Sequence, residues 1–266
     1  MSDEFVVALS TMTTRSFPII PSPDDSRDHV AEQVYCAARA GTAAAVPKTL
    51  DLRSDLRPIR DQGTTSTCAA QVAACIKEYQ ELHDTGIPSD FSPQFVYNYR
   101  ANAPDEGMHG RDVMTILHKR GAPTEASFPF GSEGDPTPTT IAEAGRYAIK
   151  EYARVGTIAA LKEALARDGP CYISFPVYNS GMEMWKPGPG EQRQGGHAMT
   201  VVGYTKAGFL IRNSWGMGWG DRGHCVYPFA DFGAHWDIWT TVDQEGSGRP
   251  PAPPPHPIRC TRCRIL

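Results

Sequence analysis

The chain has 266 residues, of which 40% are hydrophobic and 21% charged, and a chain of this length and composition can bury a good core in one or two domains. Its formal net charge of -4, without a basic cluster in the body of the chain, argues against a nucleic-acid partner. No apolar run approaches the roughly 20 residues of a membrane span, so no transmembrane segment is predicted.

The start of the chain and its cysteines predict the compartment. Residues 1–4, Met-Ser-Asp-Glu, are acidic where a secretory signal would be basic. Seven cysteines stand in no paired pattern, as is typical of a reducing environment. We therefore expect a cytoplasmic or otherwise reducing location, with delivery into a host cell left open.

Residues 1–46 are predicted to form an N-terminal arm. Prolines alternate with apolar residues over 16–23, a pattern typical of an extended segment that lies across another surface, with Phe17 and Ile19 among its anchors. Residues 24–46 are polar and rich in alanine. Two interpretations follow: a short inhibitory or docking arm, or a disordered leader.

The next segment places a thiol at a predicted helix start. Residues 62–68 read Gln-Gly-Thr-Thr-Ser-Thr-Cys, and apolar residues then recur at helical intervals. The N-terminus of a helix favours an anion, so this position would lower the pKa of the Cys68 thiol and favour the nucleophilic thiolate. From the preceding loop, the amide of Gln62 could donate a hydrogen bond to an oxygen that develops charge beside the sulfur. A small buried cysteine on an ordinary helix is the alternative.

A general base and its orienting partner are predicted on two neighbouring strands. His197 heads the apolar run over 195–204, and a second run over 209–216 ends in Asn213 and Trp215. If the two runs pair as antiparallel strands, the Asn213 carbonyl holds one imidazole nitrogen while the other faces the thiol. Trp215 would then cover that hydrogen bond from water.

These segments together resemble the papain family of cysteine peptidases, over about residues 47–230. The match rests on three separated motifs in the family's order: Gln62-Gly63 with Cys68 six residues after Gln62, His197-Ala198 continuing to Gly203-Tyr204, and Asn213-Ser214-Trp215-Gly216 continuing to Gly218-Trp219-Gly220. The resemblance implies an α+β papain-like fold, with a helical left half, a β-barrel-like right half and the active-site cleft between them.

The resemblance also implies the roles of the catalytic residues. Cys68 would be the nucleophile, His197 the general base and acid, and Asn213 the residue that orients the imidazole. Gln62 would form the oxyanion hole together with the backbone N–H of Cys68. No cofactor is expected, and the His and Cys residues do not have the spacing of a metal site.

Substrate-binding residues follow from the same matching. Gly107-Met108-His109-Gly110 occupies the place of the family's Cys-Asn-Gly-Gly segment, whose backbone pairs with the substrate chain. Gly110 matches that motif, whereas His109 replaces a glycine. The expected substrate-binding residues are Gly110, His109, Ala198 and Trp215.

The resemblance sets the domain boundaries as well. The catalytic domain would run over 47–242, with a helical half over about 62–125 and a β-rich half over about 140–240 together with 47–60. The arm before it is similar to the short Pro-rich arm of bacterial and viral papain-like peptidases, which are therefore the members closest in pattern.

Residues 243–266 are rich in Gly and Pro and are predicted to form a flexible tail. Cys260 and Cys263 form a lone CxxC, a weak pattern for zinc or redox chemistry. The last four residues also fit a loose prenylation pattern, which would place a lipid anchor on Cys263. Arg264, at the first aliphatic position of that pattern, counts against it.

The sequence thus predicts a monomeric thiol endopeptidase that acts on protein or peptide substrates through a Cys-His-Asn thiolate mechanism with an acyl-enzyme intermediate. One alternative is a papain-fold deamidase or acyltransferase that uses the same residues on a side-chain amide. The other is a catalytically silent peptide-binding module. Joint retention of the four catalytic-type residues argues against the binding module, because a binder needs none of them as a set.

Overall fold

The computed structural model describes residues 15–39 and 46–242. The predicted tail and the start of the arm lie outside these ranges, and with them Cys260 and Cys263, so the lipid anchor stays a prediction. Within the described ranges, no helix combines the length and the apolar character needed to cross a membrane.

Six α-helices lie in the described part of the chain: α1 (Ala31–Arg39), α2 (Cys68–Thr85), α3 (Pro93–Asn98), α4 (Gly110–Lys119), α5 (Pro138–Arg146) and α6 (Ile158–Arg167). Three of them begin with a side-chain cap, because the hydroxyls of Ser92, Thr137 and Thr157 accept a backbone N–H from the first turn of α3, α5 and α6. Two short 3-10 turns, Arg53–Asp55 and Phe229–Asp231, connect other elements.

α2 is the central helix of the helical half. It begins after Thr67, whose side chain makes no capping hydrogen bond, and ends at Gly86, where a φ of 73° closes the helix in the left-handed region. The small residues of its first turn, Cys68, Ala69 and Ala70, are fully buried. Because these side chains are small, the start of α2 fits closely between the two halves of the molecule.

The β-rich half is a seven-stranded antiparallel sheet. Its strands are β1 (Leu50–Asp51), β2 (Glu151–Arg154), β3 (Cys171–Val177), β4 (Gly195–Tyr204), β5 (Gly208–Arg212), β6 (His224–Pro228) and β7 (Asp237–Val242). The order across the sheet is β2-β7-β3-β4-β5-β6, and β1 pairs with β4. The predicted α+β fold, with helices on one side and an antiparallel sheet on the other, is confirmed.

Two large clusters of buried side chains hold these halves together. One lies within the β-rich half, between the sheet and α6, and includes Leu161, Phe175 and Ile211. The other joins α2 and α4 to the sheet through Tyr172 and Trp239. α5 packs away from the sheet, since its Ala144 contacts Phe95 of α3 and Phe128 in a third, small cluster.

The described part of the arm consists of an extended segment and a helix that the sequence analysis did not predict. Residues 15–22, which we call the strap, run between the two halves, and Pro18 pairs with Gly196 at the start of β4. α1 then packs on the β-rich half, where Ala31 and Tyr35 are buried in its core. Residues 15–39 of the arm are therefore part of the folded body.

Candidate active site

His197 and Asn213 form a buried hydrogen-bonded pair. β4 and β5 pair antiparallel with Thr200 opposite Arg212, so His197 and the residue after β5 come to the same end of the sheet. His197 Nε2 lies 2.7 Å from Asn213 Oδ1. The same oxygen accepts the backbone N–H of Ser214 at 2.7 Å, which fixes the orientation of the amide.

This arrangement selects the imidazole tautomer. Because Asn213 Oδ1 is an acceptor, Nε2 of a neutral His197 carries the proton and donates it, and Nδ1 is left as the basic nitrogen. His197 is fully buried, and Nδ1 has no hydrogen-bond partner in the described part of the structure. The ring is thus ready to accept a proton at Nδ1.

Trp215 shields the pair from water, as the sequence predicted. Its ring lies on the imidazole, with 4.5 Å between the centroids, and its own exposed fraction is 3%. Trp219 packs edge-on against Trp215 at 5.7 Å. A hydrogen bond in such a dry environment holds the imidazole more firmly than the same bond in water would.

Cys68 is the first residue of α2 and faces the start of β4. Its side chain is fully buried beside Ala198, the residue after His197, and the Ala198 backbone hydrogen-bonds the sulfur. The contact between α2 and β4 therefore brings the thiol to the strand that carries the imidazole.

The predicted lowering of the thiol pKa is wrong for this structure. Burial raises the pKa of Cys68 to about 12, and the hydrogen bonds from the Ala198 and Ala69 backbones oppose that rise only in part. Burial also lowers the pKa of His197 to about 4, against the opposite effect of its bond to Asn213. With the strap in place, burial therefore favours the neutral form of both groups.

Gln62 is held in place by hydrogen bonds to Ser214 and Thr65 at the entrance to α2. Its backbone N–H donates to Ser214 O at 2.9 Å, and its Oε1 accepts from the Ser214 hydroxyl at 2.6 Å. Its Nε2 donates one hydrogen to Thr65 O at 2.7 Å. An amide nitrogen carries two hydrogens, so one remains to be donated in the loop that leads to Cys68.

The strap lies across this site between the two halves. The backbone N–H of Gly196 donates to Phe17 O at 2.9 Å, and that of Ile19 donates to Gly196 O at 3.1 Å. On the opposite side, a side chain at Gly107 would collide with the carbonyl of Pro18. Ile19 is buried in the same cluster as Cys68 and Ala198.

The predicted substrate-binding residues are not all beside the strap. His109 Nδ1 lies 3.2 Å from Pro21 O, and Ala198 and Trp215 line the site. Gly110 instead opens α4 in the interior, where a side chain would collide with Tyr172 and Trp239. The glycine that meets the chain in the cleft is Gly107, whose φ of 82° and close contact explain the absence of a side chain.

Two further groups contact the far end of the strap, and one of them, Asp237, was not predicted from the sequence. The buried Asp237 accepts the backbone N–H of Ser22 at 3.2 Å, and the backbone N–H of Arg111 donates to the Ser22 hydroxyl at 3.0 Å. No three or more His, Cys, Asp or Glu side chains in the described ranges form a group that could hold a metal ion.

The family follows from comparison with known proteins. Residues 46–228 match the family model described as papain family cysteine protease. Because the match covers most of the chain, this protein belongs to the papain family of cysteine proteases.

Similar curated proteins come from several branches of life. The chain is 27% identical over 268 residues to an uncharacterized peptidase C1-like protein of Acanthamoeba polyphaga mimivirus, a match that covers 85% of this chain and 86% of that protein. It is 25% identical over 194 residues to cysteine proteinase 3 of Entamoeba histolytica, covering 68% of this chain and 62% of that protein. This chain spans about three fifths of the length of several of the curated relatives that it matches.

Among solved structures, the chain is similar to xylellain, a cysteine protease from Xylella fastidiosa, with a TM-score of 0.73 and 27% identity over 86% of this chain and 96% of that one. The bromelain protease of Ananas comosus shares the fold, with a TM-score of 0.60 and 19% identity over 74% of this chain and 100% of that one. The predicted family is thus confirmed. A particular closeness to bacterial and viral members has only weak support, and it stays a prediction.

Proposed function

We propose that this protein is a cysteine endopeptidase in which Cys68 is the nucleophile, His197 the general base and acid, and Asn213 the residue that orients the imidazole. The observation that carries the proposal is the 2.7 Å bond between His197 Nε2 and Asn213 Oδ1, which leaves the buried Nδ1 without a described partner. A second observation also supports the proposal: the sulfur of Cys68 contacts the backbone of Ala198, the residue after His197.

The reaction follows from this geometry. The proton of the Cys68 thiol passes to His197 Nδ1, and the thiolate attacks the carbonyl carbon of the peptide bond. The imidazolium then gives its proton to the leaving amine as the C–N bond breaks, which leaves a thioester on Cys68. Water attacks the thioester with His197 as base, and the carboxylic acid and the free thiol are released.

Gln62 and the backbone N–H of Cys68 would stabilise the oxyanion that forms in both steps. The amide of Gln62 is already oriented by Ser214 and Thr65, so it needs no rearrangement when charge develops. Its remaining hydrogen and the first N–H of α2 are donors at the same entrance to the cleft.

We also propose that the strap is inhibitory. It buries Ile19 in the same cluster as Cys68 and pairs with the residue before His197, so an extended substrate and the strap would compete for one groove. The substrates would therefore be proteins or peptides in extended conformation. A reducing compartment and a monomeric state remain part of the proposal, and the unpaired, buried thiols of Cys68, Cys75, Cys171 and Cys225 are compatible with the first.

The test is the hydrolysis of a mixed fluorogenic peptide library by the full chain, by Ile19→Asp and by Cys68→Ala. A carboxylate at the buried position of Ile19 would displace the strap, at a cost of roughly 3 kcal/mol in strap binding, so we expect Ile19→Asp to raise the rate about 10- to 100-fold. Ile87→Asp is the matched control, because Ile87 is 64% exposed beyond the end of α2.

Three outcomes separate the possible functions. Turnover that disappears with Cys68→Ala supports the peptidase. Labelling of Cys68 by an electrophilic thiol probe without cleavage of any peptide would favour a deamidase or acyltransferase. Failure of both, with peptides still bound, would leave the binding module.

A further inference from the structure

The cleft contains a site that holds a guanidinium group. Arg15, at the start of the strap, directs its Nη1 to the Asp61 carboxylate at 3.5 Å and to Gly63 O at 3.4 Å, and its Nη2 to Trp215 O at 3.5 Å. Its guanidinium carbon also lies 4.8 Å from the centre of the Trp215 ring. One carboxylate, two carbonyl oxygens and an aromatic face together match the charge and the shape of an arginine side chain.

This site is a fixed part of the catalytic framework. Asp61 pairs with Trp215 in an antiparallel bridge, and its Oδ1 accepts the backbone N–H of Gly63 at 2.9 Å, so its carboxylate is already oriented. Gly216, with a φ of 74°, leaves room beside Asp61, since a side chain there would press on the carboxylate. The segment that carries Asp61 continues directly into Gln62.

The position of the site relates it to one half of the substrate. Trp215 packs on His197, and in the proposed mechanism His197 protonates the amine of the leaving half. A side chain held over Trp215 therefore belongs to the leaving half, within a few residues of the bond that is cut.

We propose that Asp61, Gly63 and Trp215 form a specificity subsite that selects arginine in the leaving half of peptide substrates. In the covered state, Arg15 of the strap occupies this subsite with a side chain that is 23% exposed. Release of the strap empties it and leaves an oriented carboxylate beside an indole face. This inference rests on the proposed peptidase function, since it names the substrate that the same cleft would take.

The experiment compares arginine with citrulline, which has nearly the same shape but no charge. The full chain carrying Ile19→Asp would be given internally quenched peptides that share one acyl half and carry arginine or citrulline at the first, second or third position of the leaving half. We expect kcat/KM to be about tenfold higher for arginine than for citrulline at one of these positions, from one partly exposed ion pair and one cation–π contact.

Asp61→Asn keeps the acceptor for the Gly63 N–H but removes the charge, and it should reduce the ratio of the two kcat/KM values to about twofold. Asp84→Asn is the matched control, because Asp84 is an exposed carboxylate near the opposite end of α2 from Cys68, and the ratio should stay about tenfold. Equal cleavage of both peptide series at all three positions, with no effect of Asp61→Asn, would overturn the subsite.

A binding measurement separates failure of the subsite from failure of the peptidase. In the full chain carrying both Ile19→Asp and Cys68→Ala, the subsite predicts that the best arginine peptide binds about tenfold more tightly than its citrulline counterpart. If no peptide is cleaved but this ratio is found, the subsite stands and the peptidase function fails. If the two dissociation constants are equal, or if neither peptide binds, the subsite is wrong.

Discussion

At the scale of single residues, one oxygen atom controls the orientation of the catalytic base. Asn213 Oδ1 accepts hydrogen bonds from both His197 Nε2 and the Ser214 backbone, each at 2.7 Å. The backbone contact fixes which atom of the amide faces the imidazole, and the imidazole in turn presents Nδ1. The tautomer of His197 is therefore set by a residue that would not touch the substrate in the proposed mechanism.

Removal of that oxygen should affect catalysis more than folding. In the Ile19→Asp background, we expect Asn213→Ala to lower kcat/KM by roughly 100-fold, because the imidazole loses its orientation. The unpaired N–H groups should lower the free energy of unfolding by about 1–3 kcal/mol. Asn213→Asp keeps an acceptor for both donors and should lose less activity. Equal kcat/KM for Asn213→Ala and the parent would contradict this role.

The pKa values of the catalytic pair should depend on the strap. Burial raises the pKa of Cys68 to about 12 in the covered site, so the reactive thiolate is scarce at pH 7 and increases only as the pH rises towards that value. We expect iodoacetamide to label Cys68 slowly in the full chain below about pH 9. In Ile19→Asp, water reaches the sulfur, the pKa falls, and labelling should begin at lower pH. Identical pH profiles for the two proteins would contradict this account.

The sequence was sufficient to predict that His197 meets Asn213, and insufficient to predict the environment of the thiol. The first contact follows from the pairing of β4 with β5, and the position of α2 places Cys68 beside the residue after His197. The thiol pKa depends instead on what covers the sulfur. Ile19, which is buried in the same cluster as Cys68, lies almost 50 residues earlier in the chain, and no local pattern around Cys68 predicts its position.

At the scale of elements, α1 is a helix that the composition of its segment did not predict. Its segment looked polar and rich in alanine, yet Ala31 and Tyr35 are buried and the Tyr35 hydroxyl donates to Asp168 Oδ2 at 2.6 Å. Ala31 and Tyr35 lie about one helical turn apart and face the core of the β-rich half. The helix is stabilised by packing on the sheet and α6 more than by its own sequence.

α1 should contribute measurably to stability. We expect Tyr35→Ala to lower the free energy of unfolding by about 3–4 kcal/mol through the cavity that it leaves, and Tyr35→Phe by about 1 kcal/mol through the lost hydrogen bond. Gln33→Ala, on the exposed side of the same helix, is the control and should change it little. Urea denaturation measures all three. A small effect of Tyr35→Ala would mean that α1 is not part of the cooperative fold.

Two glycines show that a motif match and a contact in the structure can fall on different residues. Gly110 matched a family motif by position, but Gly107 is the residue that approaches the strap, because the loop before α4 turns at φ 82° just there. A match in sequence aligns residues along the chain, whereas the close approach depends on where the loop passes the opposite half. The two differ here by three residues.

At the scale of the molecule, the described part of the arm is folded and has two separate roles. α1 completes the core of the β-rich half, and the strap crosses the cleft from Trp215 to Asp237. A chain shortened to begin at Ala45 would lose α1 and the strap at once. A change in its activity could then come either from a less stable fold or from an uncovered cleft. Single substitutions in the strap, such as Ile19→Asp, separate the two effects.

The α+β architecture itself was predictable because its signals are local. Two apolar runs predicted β4 and β5, and the spacing of apolar residues after Cys68 predicted α2. The path of the strap was not predictable, since a short extended segment has no periodic pattern that would indicate which surface it contacts. The subsite that we assign to Asp61 and Trp215 became visible only because the strap places Arg15 there.

In the proposed mechanism, a peptide bond is broken through a thioester on Cys68. The most direct test is mass spectrometry of the Ile19→Asp chain, quenched in acid during turnover of a cleaved peptide. We predict an acyl group on Cys68 that disappears on longer incubation. Fragmentation of the tryptic peptide that carries both cysteines should place the group on Cys68 and exclude Cys75. Steady turnover without any acyl group on Cys68, or turnover that persists in Cys68→Ala, would contradict this mechanism.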